Sequence, residues 1–265
     1  MAKIGFIGMG NMGYAILKGL LKVYTPEDLI FTDVNQKRME QVSEETGVAH
    51  TVDNGACAGQ ADYVILAVKP QYYPPVLKEI APAVRKEQIV ISIAPGITID
   101  QLKEQLGADK RIVRAMPNTP ALLGEGMTGV CYDAALFSIE EKDTIRGIFQ
   151  SFGRMEVVEE RLINAVVCVS GSSPAYVYMF IEALADSAVK YGLPRDMAYR
   201  MAAQTLVGSA KMVLETGEHP GKLKDQVCSP GGTTIAGVSA LEEYGFRNSV
   251  IKASDACYEK CSNIK

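Results

Sequence analysis

The sequence of 265 residues has little with which to build a metal site or an acid–base centre. It contains two histidines, His50 and His219, and its six cysteines include no Cys-x-x-Cys pair. Zinc is held by clusters of cysteine and histidine side chains, and a cysteine nucleophile needs a neighbouring base. This composition predicts no bound metal, and thiols that are reduced and mostly buried.

A large charge of one sign is also missing, since 27 lysines and arginines face 31 aspartates and glutamates and the net charge is −4. That balance offers no basic surface to nucleic acid or to an anionic membrane. The longest apolar runs, such as Ala175–Ile181, are too short to span a bilayer. The N-terminal residues lack the cationic start and cleavage site of a signal peptide. We therefore expect a cytoplasmic protein with neither a nucleic-acid nor a membrane partner.

A glycine-rich turn near the N-terminus carries the first positive signal. The apolar run of residues 3–8 is followed by Gly8, Gly10 and Gly13 in the pattern Gly-x-Gly-x-x-Gly, and then by a segment with helical periodicity. In this setting the first glycine permits a tight turn, the second lets the backbone approach a pyrophosphate, and the third lets the helix pack on its strand. Free N–H groups at the helix N-terminus favour the phosphates. The sequence predicts dinucleotide binding.

The choice between NADH and NADPH stays open at this level. A second apolar run, Leu29–Thr32, is followed by Asp33, which lies about 20 residues after the third glycine, as expected for a carboxylate that binds the adenosine ribose. Asp33 favours NADH because it would repel a 2′-phosphate. Lys37 and Arg38 follow directly and could neutralise that phosphate, or they could form a solvated helix start.

Apolar, β-rich runs alternate with helical segments as far as residue 160. The predicted strands cover residues 61–70, 88–96, 111–120, 127–133 and 154–160, and the predicted helices cover 37–46, 74–84, 98–106 and 138–150. This alternation predicts an α/β Rossmann-type domain at the N-terminus, with a mostly parallel sheet covered on both faces.

Ligands of such sheets bind beyond the carboxyl ends of the strands. Residues predicted at that edge are Asn54, Ala67, Val68, Lys69, Pro70, Ile93, Ala94, Pro95, Met116, Pro117 and Asn118. The prolines also fit simple strand termination. Asn118 is the more informative residue, and we expect its polar groups to face the nicotinamide.

After residue 160 the strand pattern stops, which predicts an NAD(P)-binding domain over 1–160 and an all-α dimerisation and substrate-binding domain over 161–265. The helix predicted over 172–192 has its charged residues Glu182, Asp186 and Lys190 in one narrow stripe, with apolar or small residues nearly everywhere else. Such a helix is buried over most of its circumference. Because the predicted domain is too small to surround it, we expect burial against a second subunit.

The segment Ser-Pro-Gly-Gly-Thr-Thr, residues 229–234, interrupts these helices. It fits a simple helix–helix corner, in which proline and glycine serve backbone geometry alone. It also fits an anion-binding loop, in which the N–H groups of Gly231, Gly232, Thr233 and Thr234 face a carboxylate at a helix N-terminus. A corner needs one glycine, whereas this loop has two glycines and three hydroxyl groups. The residues alone leave both readings open.

The segment LKDQVCSPGGTTIAGVSALEEYGFR, residues 223–247, resembles the signature of the pyrroline-5-carboxylate reductases. The motifs GFIGMGNMG, AVKP, SIAPG, RAMPNTP, SGSSPAY and AVKYGLPR agree in order and spacing over essentially the whole chain. The resemblance implies reduction of 1-pyrroline-5-carboxylate to L-proline by NADPH or NADH, the last step of proline biosynthesis. It also implies an interlocked homodimer formed by the helical domain, with further assembly into a ring of five dimers, a homodecamer.

The resemblance also implies site residues. Gly231, Gly232, Thr233 and Thr234 would bind the substrate carboxylate, and the Thr234 hydroxyl would bond the ring nitrogen, with Ser229 as a second catalytic candidate. The implied cofactor residues are Ile7, Gly8, Met9, Gly10, Asn11, Met12, Gly13, Asp33, Asn54, Ala67, Val68, Lys69, Pro70, Ile93, Ala94, Pro95 and Asn118. Many relatives have a polar or basic group for the 2′-phosphate where this chain has Thr32 and Asp33, a departure that favours NADH.

Three other classes of protein share part of this pattern. A β-hydroxyacid dehydrogenase would place a catalytic lysine on the first long helix of the second domain, where this chain has no lysine before Lys190. An imine reductase of other specificity would keep the whole arrangement. A non-catalytic dinucleotide sensor would keep the first domain but would have no use for the loop at 229–234.

Overall fold

The computed structural model describes residues 3–262, which form two compact units. The first unit contains the described residues of Met1–Ser172 and Cys257–Lys265, and the second is Ser173–Ala256. The first unit extends past residue 160 because the helical turns that follow pack on the sheet. Ile163 is buried there, and the Val166 side chain fills the space over Gly129. The domain division at residue 160 marks the end of the strand pattern and stays a prediction.

Eight strands form a single sheet in the order β3-β2-β1-β4-β5-β6-β7-β8. Neighbouring strands are parallel except at the β6–β7 pair, which is antiparallel. The strands are β1 (Ile4–Ile7), β2 (Leu29–Thr32), β3 (Ala49–His50), β4 (Tyr63–Leu66), β5 (Ile89–Ser92), β6 (Arg111–Met116), β7 (Gly126–Cys131) and β8 (Gly153–Val157). The predicted mostly parallel sheet is confirmed.

Helices cover both faces of this sheet, as predicted. On one face α1, α2 and α6 pack on the sheet, and on the other face α3, α4 and α5 do so. The helices of the first unit are α1 (Asn11–Leu20), α2 (Gln36–Thr46), α3 (Asn54–Gln60), α4 (Tyr73–Ile80), α5 (Ile99–Leu106), α6 (Ile139–Gln150) and the short α7 (Ile163–Val166). Each face therefore carries its own apolar core, and the strands between them are buried on both sides.

The predicted strands over 61–70 and 88–96 are longer than the observed β4 and β5. Strand β4 ends where its pairing with the four residues of β1 ends, and β5 ends where its pairing with the four residues of β4 ends. The apolar chain beyond each strand turns away over the edge of the sheet. Helix α3 and the two-residue β3 were not predicted. Helix α3 is built from small residues without an apolar period, and its N-terminus is capped by the Asp53 side chain, which accepts a hydrogen bond from the Ala56 N–H at 2.6 Å.

The second unit is helical, so the predicted all-α second half is confirmed. Its helices are α8 (Ser173–Lys190), α9 (Arg195–Thr216), α10 (Pro220–Val227), α11 (Thr233–Glu243) and α12 (Phe246–Ser262), the last of which ends in the first unit. Within this unit only Ala185, Ala198 and Ala202 are buried. Large apolar side chains stay exposed, Met179 by 67% and Leu214 by 57%.

One helical stretch, Glu160–Lys190, is long and apolar enough to cross a membrane when judged by length and composition alone. This stretch was not predicted from the sequence, because charged and hydroxyl residues divide it into short apolar runs. Its first part packs on the sheet, where Ile163, Val167 and Cys168 are buried. A core helix of a soluble protein passes the same test, so the finding is weak evidence for a membrane location.

Candidate active site

The glycine turn that joins β1 to α1 is tightly packed at two of its three glycines. Gly8 has φ of 97°, and a Cβ atom placed on it would lie 2.8 Å from the Ala67 carbonyl oxygen. A Cβ on Gly13 would lie 2.4 Å from the Gly8 carbonyl oxygen. Gly10 differs, because a Cβ there would meet no described atom within 4 Å. Two glycines are therefore needed by the fold, and the third leaves its backbone open to a ligand.

A crevice of about 380 Å³ lies at the carboxyl ends of the central strands, directly beside Gly10. It is lined by Gly10, Asn11, Met12, Ala67, Val68, Lys69, Pro70, Ile93, Ala94, Pro95, Met116 and Pro117. Four separate connections, after β1, β4, β5 and β6, thus meet in one wall. Most of that wall is apolar, with a few backbone groups and one lysine, which is typical of a site for a planar ring.

Several predicted cofactor residues lie behind this wall. The side chains of Ile7 and Met9 are buried in the cores, so only their backbone groups remain for a ligand. Asn54 is tied to Glu79, with its N–H and its Nδ2 donating to the carboxylate at 3.2 and 2.7 Å. The crevice therefore contains the predicted residues after β4 and β5, while Asn54 is held by a neighbouring helix.

Asn118 is buried, and both polar atoms of its side chain have partners within the first unit. Its Oδ1 accepts a hydrogen bond from the Met127 N–H at 2.8 Å, and its Nδ2 donates to the Ser170 carbonyl at 3.0 Å. These bonds tie β6, β7 and the turn before α8 together. These two bonds hold the loop that carries Met116 and Pro117, and the expectation that the polar groups of Asn118 face the nicotinamide stays a prediction.

Asp33 lies against the glycine turn. One carboxylate oxygen accepts from the Met9 N–H at 2.6 Å and the other from the Asn35 N–H at 2.9 Å. Arg38 approaches the same turn, since its Nε donates to the Met9 carbonyl at 3.1 Å and its guanidinium lies 4.5 Å from the centre of the Tyr14 ring. A carboxylate and a guanidinium therefore bond the backbone N–H and the carbonyl of one residue, Met9, at the position where a ribose would approach.

The N-termini of the helices differ in their caps. Helices α2, α3, α5 and α6 are capped by side chains of Asn35, Asp53, Thr98 and Ser138, each of which accepts from an N–H of the first turn, and α10 is capped by His219. Helices α4, α7 and α9 have no side-chain cap. Helices α1 and α11 also have none, and both have glycine at the N-cap, Gly10 and Gly232. Uncapped N–H groups combined with the helix dipole bind anions. These two helix starts are the ones at which the sequence predicts anion binding.

The loop before α11 presents its amides to solvent. Gly231 has φ of 66°, and the Gly232 N–H donates to the Ser229 carbonyl at 3.0 Å, which closes the turn. Thr233 and Thr234 are exposed, and among the described residues their N–H groups and the Thr234 hydroxyl have no hydrogen-bond partner. The loop belongs to the second unit, and the crevice belongs to the first.

Two buried cysteines of the first unit are unsuited to act as nucleophiles. All six cysteines of the chain are free, three of them buried and three half-buried, which is fewer buried thiols than the sequence suggested. Burial raises the pKa of Cys57 and of Cys131 to about 12, so both remain protonated thiols at neutral pH. Among residues 3–262 no group of three or more His, Cys, Asp or Glu side chains is arranged to hold a metal ion.

The first unit contains a strand, a glycine turn and a helix, and an apolar crevice lies at the carboxyl ends of its parallel strands. Together these features define a dinucleotide-dependent oxidoreductase. Residues 3–96 match the family model described as NADP oxidoreductase, coenzyme F420-dependent. Residues 160–264 match the model described as pyrroline-5-carboxylate reductase dimerisation. The chain belongs to the pyrroline-5-carboxylate reductase family, which confirms the resemblance seen in its motifs.

Individual relatives agree with this assignment. The pyrroline-5-carboxylate reductase of Escherichia coli is 51% identical over 99% of this chain and 98% of its own length. The solved structure of a pyrroline-5-carboxylate reductase from Coxiella burnetii has a TM-score of 0.92 at 35% identity, covering 98% of this chain and 97% of that one. The Plasmodium falciparum pyrroline carboxylate reductase, solved with NADP bound, has a TM-score of 0.87 at 34% identity over 98% and 97%.

Proposed function

We propose that this chain reduces 1-pyrroline-5-carboxylate to L-proline by hydride transfer from NADPH or NADH, the final step of proline biosynthesis, in the cytoplasm. Family membership supports the reaction, and the pair of glycine-capped helix starts at α1 and α11 is the observation that carries the assignment of residues. One start binds the pyrophosphate of the cofactor, and the other binds the carboxylate of the substrate.

The cofactor, when bound, supplies the hydride. The N–H groups of Asn11 and Met12 would hold its pyrophosphate above Gly10, where a Cβ atom would meet no described atom within 4 Å. Ala67–Pro70 and Ile93–Pro95 would hold the nicotinamide in the crevice. Asp33 would bind the adenosine ribose, because its carboxylate already lies at the glycine turn.

The N–H groups of Gly231, Thr233 and Thr234 hold the substrate carboxylate, while the Gly232 N–H, predicted to join them, donates to the Ser229 carbonyl and shapes the turn. The Thr234 hydroxyl bonds the ring nitrogen, and Ser229 assists from the same loop. A cyclic imine that is protonated on nitrogen is already an electrophile. Hydride added to its C=N carbon moves the π electrons to the nitrogen, which already carries its proton, and yields the neutral amine, so no proton donor is needed in that step.

This proposal assigns residues 161–265 to the dimerisation and substrate-binding domain and residues 1–160 to the NAD(P)-binding domain of a homodimer. The exposed apolar side chains of α8 and α9 support burial against a second copy, because an isolated soluble chain rarely exposes so many of them. In this proposal five such dimers assemble further into a ring, because homo-oligomers commonly have closed symmetry. Membrane and nucleic acid have no place in this function.

The reaction is tested by following oxidation of NADH and of NADPH with pyrroline-5-carboxylate as the substrate. Thr234→Ala keeps the loop backbone and removes one hydroxyl bonded to a charged group, so kcat/KM falls about 10- to 100-fold while cofactor affinity stays unchanged. Ser239→Ala is the matched control, since this hydroxyl lies on the same helix and bonds only the Ile235 carbonyl. Absence of turnover with both cofactors contradicts the function, and full activity of Thr234→Ala contradicts the role of the hydroxyl.

A further inference from the structure

The central strand β6 contains an arginine that the fold does not satisfy. Arg114 is 4% exposed and lies between Ser92 of β5 and Cys131 of β7 in the sheet register. A guanidinium has five N–H donors, and burying it is costly unless those donors are bonded. Among the described residues its only hydrogen bond runs from Nη1 to Glu160 at 3.0 Å, and its buried Nε has no partner.

Only one of the two carboxylate oxygens of Glu160 has hydrogen-bond partners among the described residues. Its Oε1 accepts from Arg114 and also from the Ile99 N–H, the first amide of α5, at 2.8 Å. Its Oε2 has no hydrogen-bond partner among residues 3–262. The bonds to Oε1 fix the carboxylate group, so the second oxygen is held in place as a free acceptor.

Both residues line one cavity of about 390 Å³ within the first unit. Thr98, Gln101 and Asn164 add a hydroxyl and two side-chain amides to its wall. This cavity shares no lining residue with the crevice beside Gly10. Because charged and polar side chains form this wall, the cavity is a site for a polar ligand rather than an apolar void.

The charges of the wall select the kind of ligand. Arg114 and Glu160 cancel each other, and the remaining charged residue of the wall, Arg161, is paired with Glu159 at 2.6 Å. A lone anion or cation would therefore gain little net attraction. A ligand with both charges gains from both ends, because open guanidinium donors stand next to a free carboxylate oxygen.

We propose that this cavity binds a small zwitterionic amino acid. The ligand's carboxylate accepts hydrogen bonds from Arg114, and its ammonium group donates to Oε2 of Glu160. Gln101 and Asn164 contact the remainder of the ligand. The site is separate from the loop at 229–234, and it does not depend on the reaction proposed above.

The purified enzyme is heated with each proteinogenic amino acid other than proline, which as the reaction product has a place in the catalytic loop. A ligand that binds only the folded state raises Tm, by about 3–6 °C when it is tenfold above its Kd. At least one amino acid is expected to give this rise. Acetate and methylammonium, which carry one charge each, are expected to give none at the same concentration.

Glu160→Gln removes the ammonium partner and keeps an acceptor for the Ile99 N–H, so the rise in Tm is expected to disappear. Glu156→Gln is the matched control, because it makes the same change at an exposed position of β8, outside the cavity wall, and keeps the rise. Asn164→Asp adds a second negative charge to the cavity wall, which repels the ligand's carboxylate and reduces the rise, and this gives a readout if Glu160→Gln does not fold.

Three results would overturn the proposal. One is a wild-type enzyme whose Tm responds to none of the amino acids. Another is a response that persists unchanged in both Glu160→Gln and Asn164→Asp, which would make the Arg114–Glu160 pair a purely structural tie. The third is an equal response to acetate alone, which would show an anion site without a partner for the ammonium group.

Discussion

The two units of the chain differ in how far their apolar side chains are buried. The first unit buries Phe6, Phe31, Phe149 and Phe152 almost completely in the core on one face of the sheet, and Tyr73 in the core on the other face. The second unit buries only three alanines and leaves large residues such as Met179 exposed. The first unit therefore has the core of an independent domain, whereas the second has apolar surface that needs a partner.

The same contrast applies to the two glycine-capped helix starts. At α1 the glycine turn is wedged between strands, and Gly8 and Gly13 have backbone atoms pressed against them. At α11 the turn lies on an exposed loop, where a Cβ on Gly231 would meet nothing within 4 Å and a Cβ on Gly232 would meet the Ser229 side chain and carbonyl. One anion site is thus formed by the fold of its own unit. The other is presented on a surface that the proposed dimer completes.

The largest effect is expected from a charge on the exposed apolar surface of α8. In Met179→Glu the proposed interface would bury an unpaired carboxylate, which costs about 3–5 kcal/mol. The dimer dissociation constant should rise roughly a thousandfold, as measured by sedimentation velocity over a range of concentrations. Glu182→Gln, on the charged stripe of the same helix, should sediment as the wild type does. A Met179→Glu protein that stays dimeric at every concentration would remove α8 from the interface.

The second prediction separates the structural glycine from the ligand-binding one. Gly8→Ala strains a residue at φ of 97° and places a Cβ against the Ala67 carbonyl, so it should lower the free energy of unfolding by about 1–3 kcal/mol. Gly10→Ala should leave that free energy unchanged and weaken cofactor binding about tenfold, or ~1.4 kcal/mol. Urea unfolding and fluorescence titration with NADH measure the two quantities. If Gly10→Ala binds NADH normally, the pyrophosphate does not lie over this residue.

The smallest effect concerns cofactor choice. Asp33→Ser removes a negative charge at the ribose position, and about 1 kcal/mol of repulsion corresponds to roughly a fivefold gain in the NADPH-to-NADH ratio of kcat/KM. Asp62→Ser is the control, because Asp62 also accepts a backbone N–H, that of Lys3, before the start of β4. If the NADPH-to-NADH ratio of kcat/KM does not change in Asp33→Ser, recognition of the ribose 2′-position would be assigned to Arg38 alone.

Local patterns predicted much of the first unit, because its elements carry their own signals. The helix predicted over 138–150 has a capping box, in which Ser138 and Glu141 bond each other's backbone, and the helix is observed from Ile139. Helix α3 and strand β3 lack such signals, since α3 consists of small residues and β3 of two residues. Their positions depend on packing against β1 and β2, which a local pattern does not contain.

The candidate site shows the same limit. The motifs brought Gly10, Ala67–Pro70 and Ile93–Pro95 to one crevice, because strand ends of a parallel sheet meet at one edge. The motifs did not show that the amide of Asn118 is already bonded on both sides. A residue's hydrogen-bond partners come from segments distant in the sequence, so only the folded chain shows whether a polar group is free.

By itself, the sequence determined the alternation of strands and helices, the glycine turn, the loop at 229–234 and membership of the family, because these depend on residue type and spacing along the chain. Tertiary structure decided that Gly10 faces open space, that Asp33 binds the glycine turn, and that Arg114 and Glu160 share a cavity. Burial and pairing depend on distances between residues far apart in the chain, and those distances exist only after folding.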